Sequence, residues 1–436
     1  MPRIVEVKAR EVLDSRGHPT VEVEILCEDG ACGRAIAPAG ASRGSAEAQE
    51  LRDEQAPRYC GRGVRQAVQR TQEVLKPALQ GLEVTDQQEL DRRLQELDGT
   101  PAKRYLGGNT LIATSLAAAH AHALSCHKPL YEVFRLLARQ VGCRCIPDRD
   151  SDYLLPLPMV NMISGGLHAG RQLEVQDFLI IPCTARSLAE ALEMVFAVHR
   201  SLGELLRSRG YEANLVADEG GYGPKVRNNE EAIECILQAI EQAGMQAGRD
   251  ISLALDVAAS HFYQRGQYEF KTLNKHLPTE AMIDYVKGWV DRYPIISVED
   301  PLAEHDWTGW ELLTQVIGNR VQLIGDDLLA TNLCRLRWAV GRGIANSILI
   351  KPNQAGTLTE TFLVLREAQR AGYRLILSAR SGDTEESWLA DLAIATGVGQ
   401  IKIGCITRGE RLAKYNQLLR IEDWLGKRGR LAQPFA

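Results

Sequence analysis

The run Ile295-Ile296-Ser297-Val298 breaks off into Glu299-Asp300, and that junction decides the fold. A short apolar run of this kind reads as a buried strand. Charge placed at a strand's C-terminal end is what separates a barrel, whose strand ends converge on one mouth, from an open sheet. The same junction recurs in both directions along the chain. Leu215-Val216-Ala217 runs into Asp218-Glu219, residues 251–255 into Asp256, and residues 321–325 into Asp326-Asp327. Residues 347–350 run into Lys351, residues 374–377 towards Arg380-Ser381, and residues 400–403 carry Lys402. Seven such strands in succession have no structural purpose unless their ends meet at a working site.

Between the strands lie amphipathic helical patterns. Tyr285, Val286, Trp289 and Val290 share one side of a helix opened by Pro278-Thr279, and Leu358, Phe362 and Leu365 share one side of a helix stopped by Gly372. Repeated βα units predict a parallel sheet, and residues 155–436 supply the roughly 250 residues that a (β/α)8 barrel needs. Upstream, Ile4-Val5-Glu6-Val7 and residues 20–25 alternate as strands around the turn-rich Asp14-Ser15-Arg16-Gly17-His18-Pro19. A small-residue loop follows at 38–44, then a helical pattern from Glu47 to about residue 137, with an Ala-rich run at 111–124. The expected organisation is an N-terminal α+β unit over 1–138, a charged linker at 139–153 and a barrel over 154–436.

Composition excludes several classes. The 436 residues are 45% hydrophobic and 25% charged, enough apolar matter for a full core. A net charge of −5 argues against a dedicated nucleic-acid binder, and no run of about 20 apolar residues spans a membrane. The first residues, MPRIVEVKARE, lack the apolar segment of a signal peptide, so a soluble cytoplasmic protein is expected. The ten cysteines contain no CxxC, the nearest pair being Cys143-Arg144-Cys145, and are expected to be reduced thiols. The glycine-rich segments at 165–170 and 220–224 miss the dinucleotide spacing, and no phosphate-loop motif occurs. Lys427-Arg428-Gly429-Arg430 reads as a solvated tail.

Asp256, Glu299 and Asp326 converging in one cavity would repel unless a cation or protons neutralise them. All-oxygen ligation favours a hard cation, with Mg2+ the default. Lys351 and Lys402 would face it, and a lysine beside a divalent cation has a lowered pKa and can serve as a general base. The natural substrate is an acid with a proton α to its carboxylate, with Glu219 opposite as the acid that helps a β-leaving group depart.

The sequence resembles the enolase (phosphopyruvate hydratase) family along almost its whole length. The match is carried by Arg10-Glu11-Val12-Leu13-Asp14-Ser15-Arg16-Gly17, Gly40-Ala41-Ser42, Asp218-Glu219-Gly220-Gly221 and Asp256-Val257-Ala258-Ala259-Ser260. It continues through Val298-Glu299-Asp300-Pro301, Gly325-Asp326-Asp327-Leu328, Lys351-Pro352-Asn353-Gln354, Arg380-Ser381-Gly382 and residues 410–417. The resemblance implies an α+β domain capping a modified barrel, a homodimer, Mg2+, and interconversion of 2-phosphoglycerate and phosphoenolpyruvate. It also implies Lys351 as the base at C2, Glu219 as the acid at the C3 hydroxyl, and Asp256, Glu299 and Asp326 as ligands of a first metal. By the same resemblance Ser42 closes over a second metal, Lys402 partners the substrate carboxylate, Arg380 and Ser381 contact phosphate, and His168 folds over the substrate.

The departures cluster at the site. Ala379 stands where enolases place a histidine, and Asp177 where they place a glutamate paired with the catalytic acid. Arg43 enters the closing loop, and Leu167 precedes His168 where the family pattern has a serine. Pro352, His261, Ile403 and residues 405–407 also differ. Ala379 opens volume and removes a donor beside phosphorus, while Arg43 brings new positive charge. The expectation is retained α-proton chemistry on a phosphorylated or phosphonylated hydroxy acid with an altered phosphorus end. A carboxyphosphono-glycerate is such a substrate, as in carboxyphosphonoenolpyruvate synthase, an enolase relative of phosphonate antibiotic pathways. The alternative is a divergent housekeeping enolase. A sugar-acid dehydratase or racemase would carry an early Lys-x-Lys, and residues 155–163 contain no lysine. A non-catalytic scaffold would have no need of three acids and two lysines.

Overall fold

β1 (Ile4–Leu13), β2 (Pro19–Cys27) and β3 (Cys32–Ile36) form an antiparallel sheet in the order β1-β2-β3. The Ala-rich helix Gly108–Ser125 lies on it, buried on nearly every side. Its alanines permit a close approach that Gly33 completes: a Cβ there would fall 2.1 Å from the Ala117 carbonyl oxygen. The computed structural model describes residues 2–41, 44–145 and 152–435. The helical pattern expected from Glu47 begins later than predicted. Residues 48–57 are irregular, a short 3-10 turn spans Arg58–Gly61, and the first α-helix is Arg65–Arg70. Of the expected linker, residues 139–141 finish the helix Leu130–Val141, and 146–151 lie outside the described residues.

A closed eight-stranded barrel fills the rest. Its strands are β5 (Leu157–Ser164), β6 (Asp177–Ile181), β7 (Ser252–Asp256), β11 (Ile295–Glu299), β12 (Gln322–Gly325), β13 (Ser347–Ile350), β14 (Arg374–Ser378) and β15 (Gln400–Gly404). β4 (Tyr153–Leu155) pairs in parallel with β16 (Gly429–Leu431), while β8 (Tyr263–Gln264), β9 (Gln267–Phe270) and β10 (Lys275–Leu277) make a small antiparallel sheet after β7. The basic stretch expected as a solvated tail is therefore in part strand, with Leu431 buried.

The sheet is not uniformly parallel. β6 runs antiparallel to both β5 and β7, whereas the remaining neighbours are parallel. The loop joining β5 to β6 thus lies at the mouth, and β6 leads away from it. Two helices, Leu188–Ser208 and Asn229–Gln242, separate β6 from β7, and the segment between them returns to the mouth. There Tyr222 bridges Ile163, and the Tyr222 carbonyl accepts from Ser164 N at 2.8 Å. This topology removes Leu215-Val216-Ala217 from the strand set: among them only Val216 makes an isolated bridge, and Leu215 is 72% exposed. Asp218 and Glu219 reach the mouth on a loop instead.

The N-terminal sheet meets the barrel through backbone. Ala39 and Gly382 exchange hydrogen bonds of 2.7 and 2.9 Å, Ser15 N donates to the Asp383 carbonyl at 2.9 Å, and Ile36 N donates to Glu386 Oε2 at 2.9 Å. Because the helix rests on Gly33 through its own backbone, neither partner can yield cheaply. Gly33→Ala is expected to destabilise the protein by about 1–3 kcal/mol, the usual cost of overpacking, read as a lowered urea midpoint of the N-terminal transition.

Candidate active site

Five charged side chains meet where β7, β11, β12, β13 and β15 end, and all five are buried. Pairing β11 with β7 sets Glu299 beside Asp256, and pairing β14 with β15 sets Ser378 beside Lys402. Lys402 Nζ donates to Asp256 Oδ2 and to Glu299 Oε2, each at 2.7 Å. Lys351 Nζ donates to Asp326 Oδ2, and Gln354 Nε2 donates to Asp326 Oδ1 at 3.0 Å. Gln176 Nε2 donates to Asp256 Oδ2 at 3.2 Å.

Charge accounting explains the titration. Burial pushes Glu299 well above the usual carboxylate range, and Asp256 adds to this against the opposing pull of Lys402. Burial also acts to raise Asp326, but the adjacent Lys351 outweighs it and holds Asp326 low. Burial alone would lower both lysines; Asp326 raises Lys351, and Asp256 with Glu299 raises Lys402 well above its usual value. The expected lowering of the Lys351 pKa is thus not found in this arrangement, because each ammonium is itself the counter-ion of the acids.

A cation suits the donor set. Glu299 Oε1 and Gln176 Oε1 are buried without hydrogen-bond partners, and the donors around them are oxygens, as a hard divalent ion requires. The three acids are nonetheless not the tightest grouping. Among the described residues two sets have donor atoms all within 4.8 Å: Asp300, Asp326 and Asp327, and His168, Asp177 and Glu219. In the first, Asp300 accepts from Asp326 N at 3.0 Å and from Asp327 N at 2.7 Å, fixing the turn that carries Asp326. Burial and then Asp326 push Asp327 up to about 8.

The second set lies across the mouth. His168, on the 3-10 turn Gly166–Ala169, puts Nδ1 2.9 Å from Asp177 Oδ2 and Nε2 3.9 Å from Glu219 Oε1. Asp177 Oδ1 accepts from Ser164 Oγ at 2.8 Å and from Asn161 Nδ2. Asp177 therefore partners His168, which stands between it and Glu219. Glu219 is held by its backbone: its carbonyl accepts from Cys405 N at 2.8 Å. A Cβ at Gly404, where φ is +109°, would come within 2.7 Å of that same oxygen. Burial would lower His168, but Asp177 and then Glu219 overcome it and carry it to about 9.

Arg380 and Ser381 stand just past β14. Arg380 Nη1 donates to Glu47 Oε2 at 2.9 Å and to Asn353 Oδ1 at 3.2 Å, and Ala41 N donates to Ser381 Oγ at 2.6 Å. Ala379 is buried beside them. Ser42 and Arg43, expected over this end, lie outside the described residues. Sequence reasoning missed Glu47, Asn161, Ser164, Gln176 and Asn353 as site neighbours. Asn161 alone left a visible signal, a fully buried amide within the apolar run of β5.

Two family models match this chain: the enolase N-terminal domain over residues 4–134, and the enolase C-terminal TIM barrel domain over residues 152–433. Among the described residues no helix is long and apolar enough to cross a membrane.

The His168–Asp177 contact has a measurable consequence. A histidine raised from about 6.5 to about 9 contributes stability that is complete below 6.5 and is lost as pH rises through 9. Histidine-resolved NMR is expected to find the His168 titration near 9 in the wild type and at least about one unit lower in Asp177→Asn. Denaturant titrations at pH 6.5 and pH 9 should show the wild type losing more stability across that window than the variant.

Proposed function

The chain belongs to the enolase family, and from that premise we propose that it is a Mg2+-dependent carbon–oxygen lyase acting on a 2-phosphoglycerate-like acid. The observation that carries this reading is the buried pairing of Lys351 with Asp326, and of Lys402 with Asp256 and Glu299, opposite Glu219 in one barrel mouth. Asp256, Glu299 and Asp326 would hold the first Mg2+, and Ser42 would close on a second. When bound, the metal supplies positive charge against the second negative charge that develops on the substrate carboxylate.

The residues divide the work by side of the mouth. Lys351 removes the C2 proton. Asp326 keeps it protonated in the arrangement described, so engaging the Asp326 oxygen elsewhere frees the amine to act as a base. Lys402 binds the substrate carboxylate. Glu219 gives its proton to the departing C3 hydroxyl, and His168, backed by Asp177, orients that carboxyl and excludes water. Arg380 and Ser381 bind the phosphorus-bearing group, with Glu47 and Asn353 fixing the guanidinium plane.

The phosphorus end supports a modified substrate. Ala379 is buried there and offers no side-chain donor, which suits a larger or more anionic group such as a carboxyphosphono-glycerate over a plain phosphate. The second reading, an ordinary enolase converting 2-phosphoglycerate to phosphoenolpyruvate, is favoured by the complete set of acids and lysines. The reading extends to two folding units, 1–138 and 154–436, in a cytoplasmic homodimer.

Lys351→Ala is expected to lower turnover by about 10² to 10⁴, the range of a lost general base, while calorimetry still detects Mg2+ binding. Turnover within about threefold of the wild type would refute the role of Lys351. Purified protein with Mg2+ should form an enolpyruvate faster from the carboxyphosphono analogue than from 2-phosphoglycerate. Efficient use of 2-phosphoglycerate alone would decide for the second reading.

A further inference from the structure

Where the turn after β1 meets Gly40-Ala41 lies a cavity of about 410 Å³ lined by Arg16, His18, Gly40, Ala41, Arg52 and Arg62. Among the described residues no carboxylate lines it, and four of its six lining residues carry cationic or imidazole side chains. We propose that this cavity is an oxyanion-binding site, suited to phosphate or to a small phosphorylated or carboxylated molecule, and separate from the site of the reaction.

The side chains are arranged to receive an anion. Arg62 Nη1 sits 2.7 Å from His18 Nε2, a contact that a ring nitrogen accepts only when it carries no proton. Arg16 donates through Nη2 to the carbonyls of Ala39 and Gly40 at 3.2 and 3.3 Å, and lies 3.5 Å from Asp14, but its Nε is buried without a partner. Arg52 is anchored through Nε to Glu50 at 2.7 Å and through Nη1 to the carbonyls of Pro19 and Arg62 at 2.9 and 2.7 Å. Three guanidinium groups therefore line one void, Arg16 and Arg52 each with one carboxylate partner and Arg62 against His18, and the Arg16 Nε is left unpartnered. The groups around His18 bear this out. Burial first, then Arg16, with Arg62 and Arg52 adding, hold its pKa below the ordinary value against the opposing charge of Asp14. An anion in the cavity reverses that balance.

The position gives the site a consequence. Gly40 and Ala41 line it, Ala41 N donates to Ser381 Oγ, and Ala39 pairs with Gly382. An anion bridging Arg16, on the turn after β1, to Arg62, ahead of the first α-helix, would tie the turn to the segment Gly40-Ala41 that lines the same cavity. The ligand need not be the substrate, because Arg380, Ser381 and Ala379 are not among the lining residues.

Inorganic phosphate is the probe. Calorimetric titration of the full-length protein is expected to show two classes of site, with Arg62→Gln weakening one class about tenfold and Arg380→Gln weakening the other. Repeating the wild-type titration with Mg2+ and saturating 2-phosphoglycerate should leave the Arg62-dependent class in place. Its loss there would mean that the substrate itself reaches the cavity and would overturn the separate site. In the unmodified wild-type protein, phosphate should also protect Arg16 and Arg62 from arginine-selective phenylglyoxal labelling and raise the His18 titration seen by NMR. Unprotected arginines together with an unmoved His18 would overturn the proposal, whether or not the variants fold.

Discussion

Lys402 Nζ, 2.7 Å from Asp256 Oδ2 and from Glu299 Oε2, is the contact on which the arrangement of the mouth depends. Carboxylates buried away from water cost several kcal/mol each unless compensated, and deleting one member of a buried pair leaves the other exposed to that cost. One ammonium cannot neutralise two acids, so burial pushes Glu299 towards its protonated form, and Asp256 reinforces this. Closure of the barrel is what makes the compensation possible. Asp256 and Glu299 come from adjacent strands, whereas Lys402 lies on β15, with three strands between it and β11 around one side of the barrel and two between it and β7 around the other. An open sheet would leave these groups apart.

The same constraint links fold to chemistry. A mouth whose acids are satisfied by its own lysines needs no ligand to be stable, yet it holds oxygens, Glu299 Oε1 and Gln176 Oε1, that no hydrogen bond satisfies. Introducing positive charge among those oxygens competes with Lys351 and Lys402 for the same acids. Under the proposed reading this would relieve the lysines of acting as counter-ions, and the pKa of each would fall once the anions that raise it were engaged elsewhere.

The barrel was legible in the sequence where a strand ends at the mouth on a charged residue, as at Asp256, Glu299, Asp326 and Lys351, whereas β5 also points there but ends on the uncharged Ser164 and was not among the expected strands. β6 escaped because it points the other way. Its polar residue, Asp177, comes first, at the mouth, and Phe178-Leu179-Ile180-Ile181 then run to the far end. The path from β6 to β7 explains why Leu215-Val216-Ala217 misled. β6 ends beside the start of β7, but the two helices between them make an excursion to the mouth and back, and the segment joining them carries Asp218-Glu219 there behind three apolar residues, imitating a strand end. Exposure distinguishes the two, and exposure cannot be read from three residues. The phosphorus-end partners were illegible for a different reason: Glu47 meets Arg380 across 333 positions of sequence, through a docking of the N-terminal loop that no local pattern encodes.

The acid at 177 meets Glu219 only through His168. A carboxylate one methylene shorter has less reach, and Asn161 and Ser164 draw one of its oxygens back against β5. The other oxygen stops at His168 Nδ1. His168 spans the remaining gap, since its two nitrogens lie on opposite edges of one rigid ring, with Nε2 facing Glu219 at 3.9 Å. A direct acid–acid pair would share a proton by mutual repulsion. An acid–imidazole–acid line instead places the His168 ring, its pKa raised to about 9, beside Glu219. On the proposed reading, with Glu219 as the acid, the loop from Gly165 to Gly170 would reach that step through one imidazole.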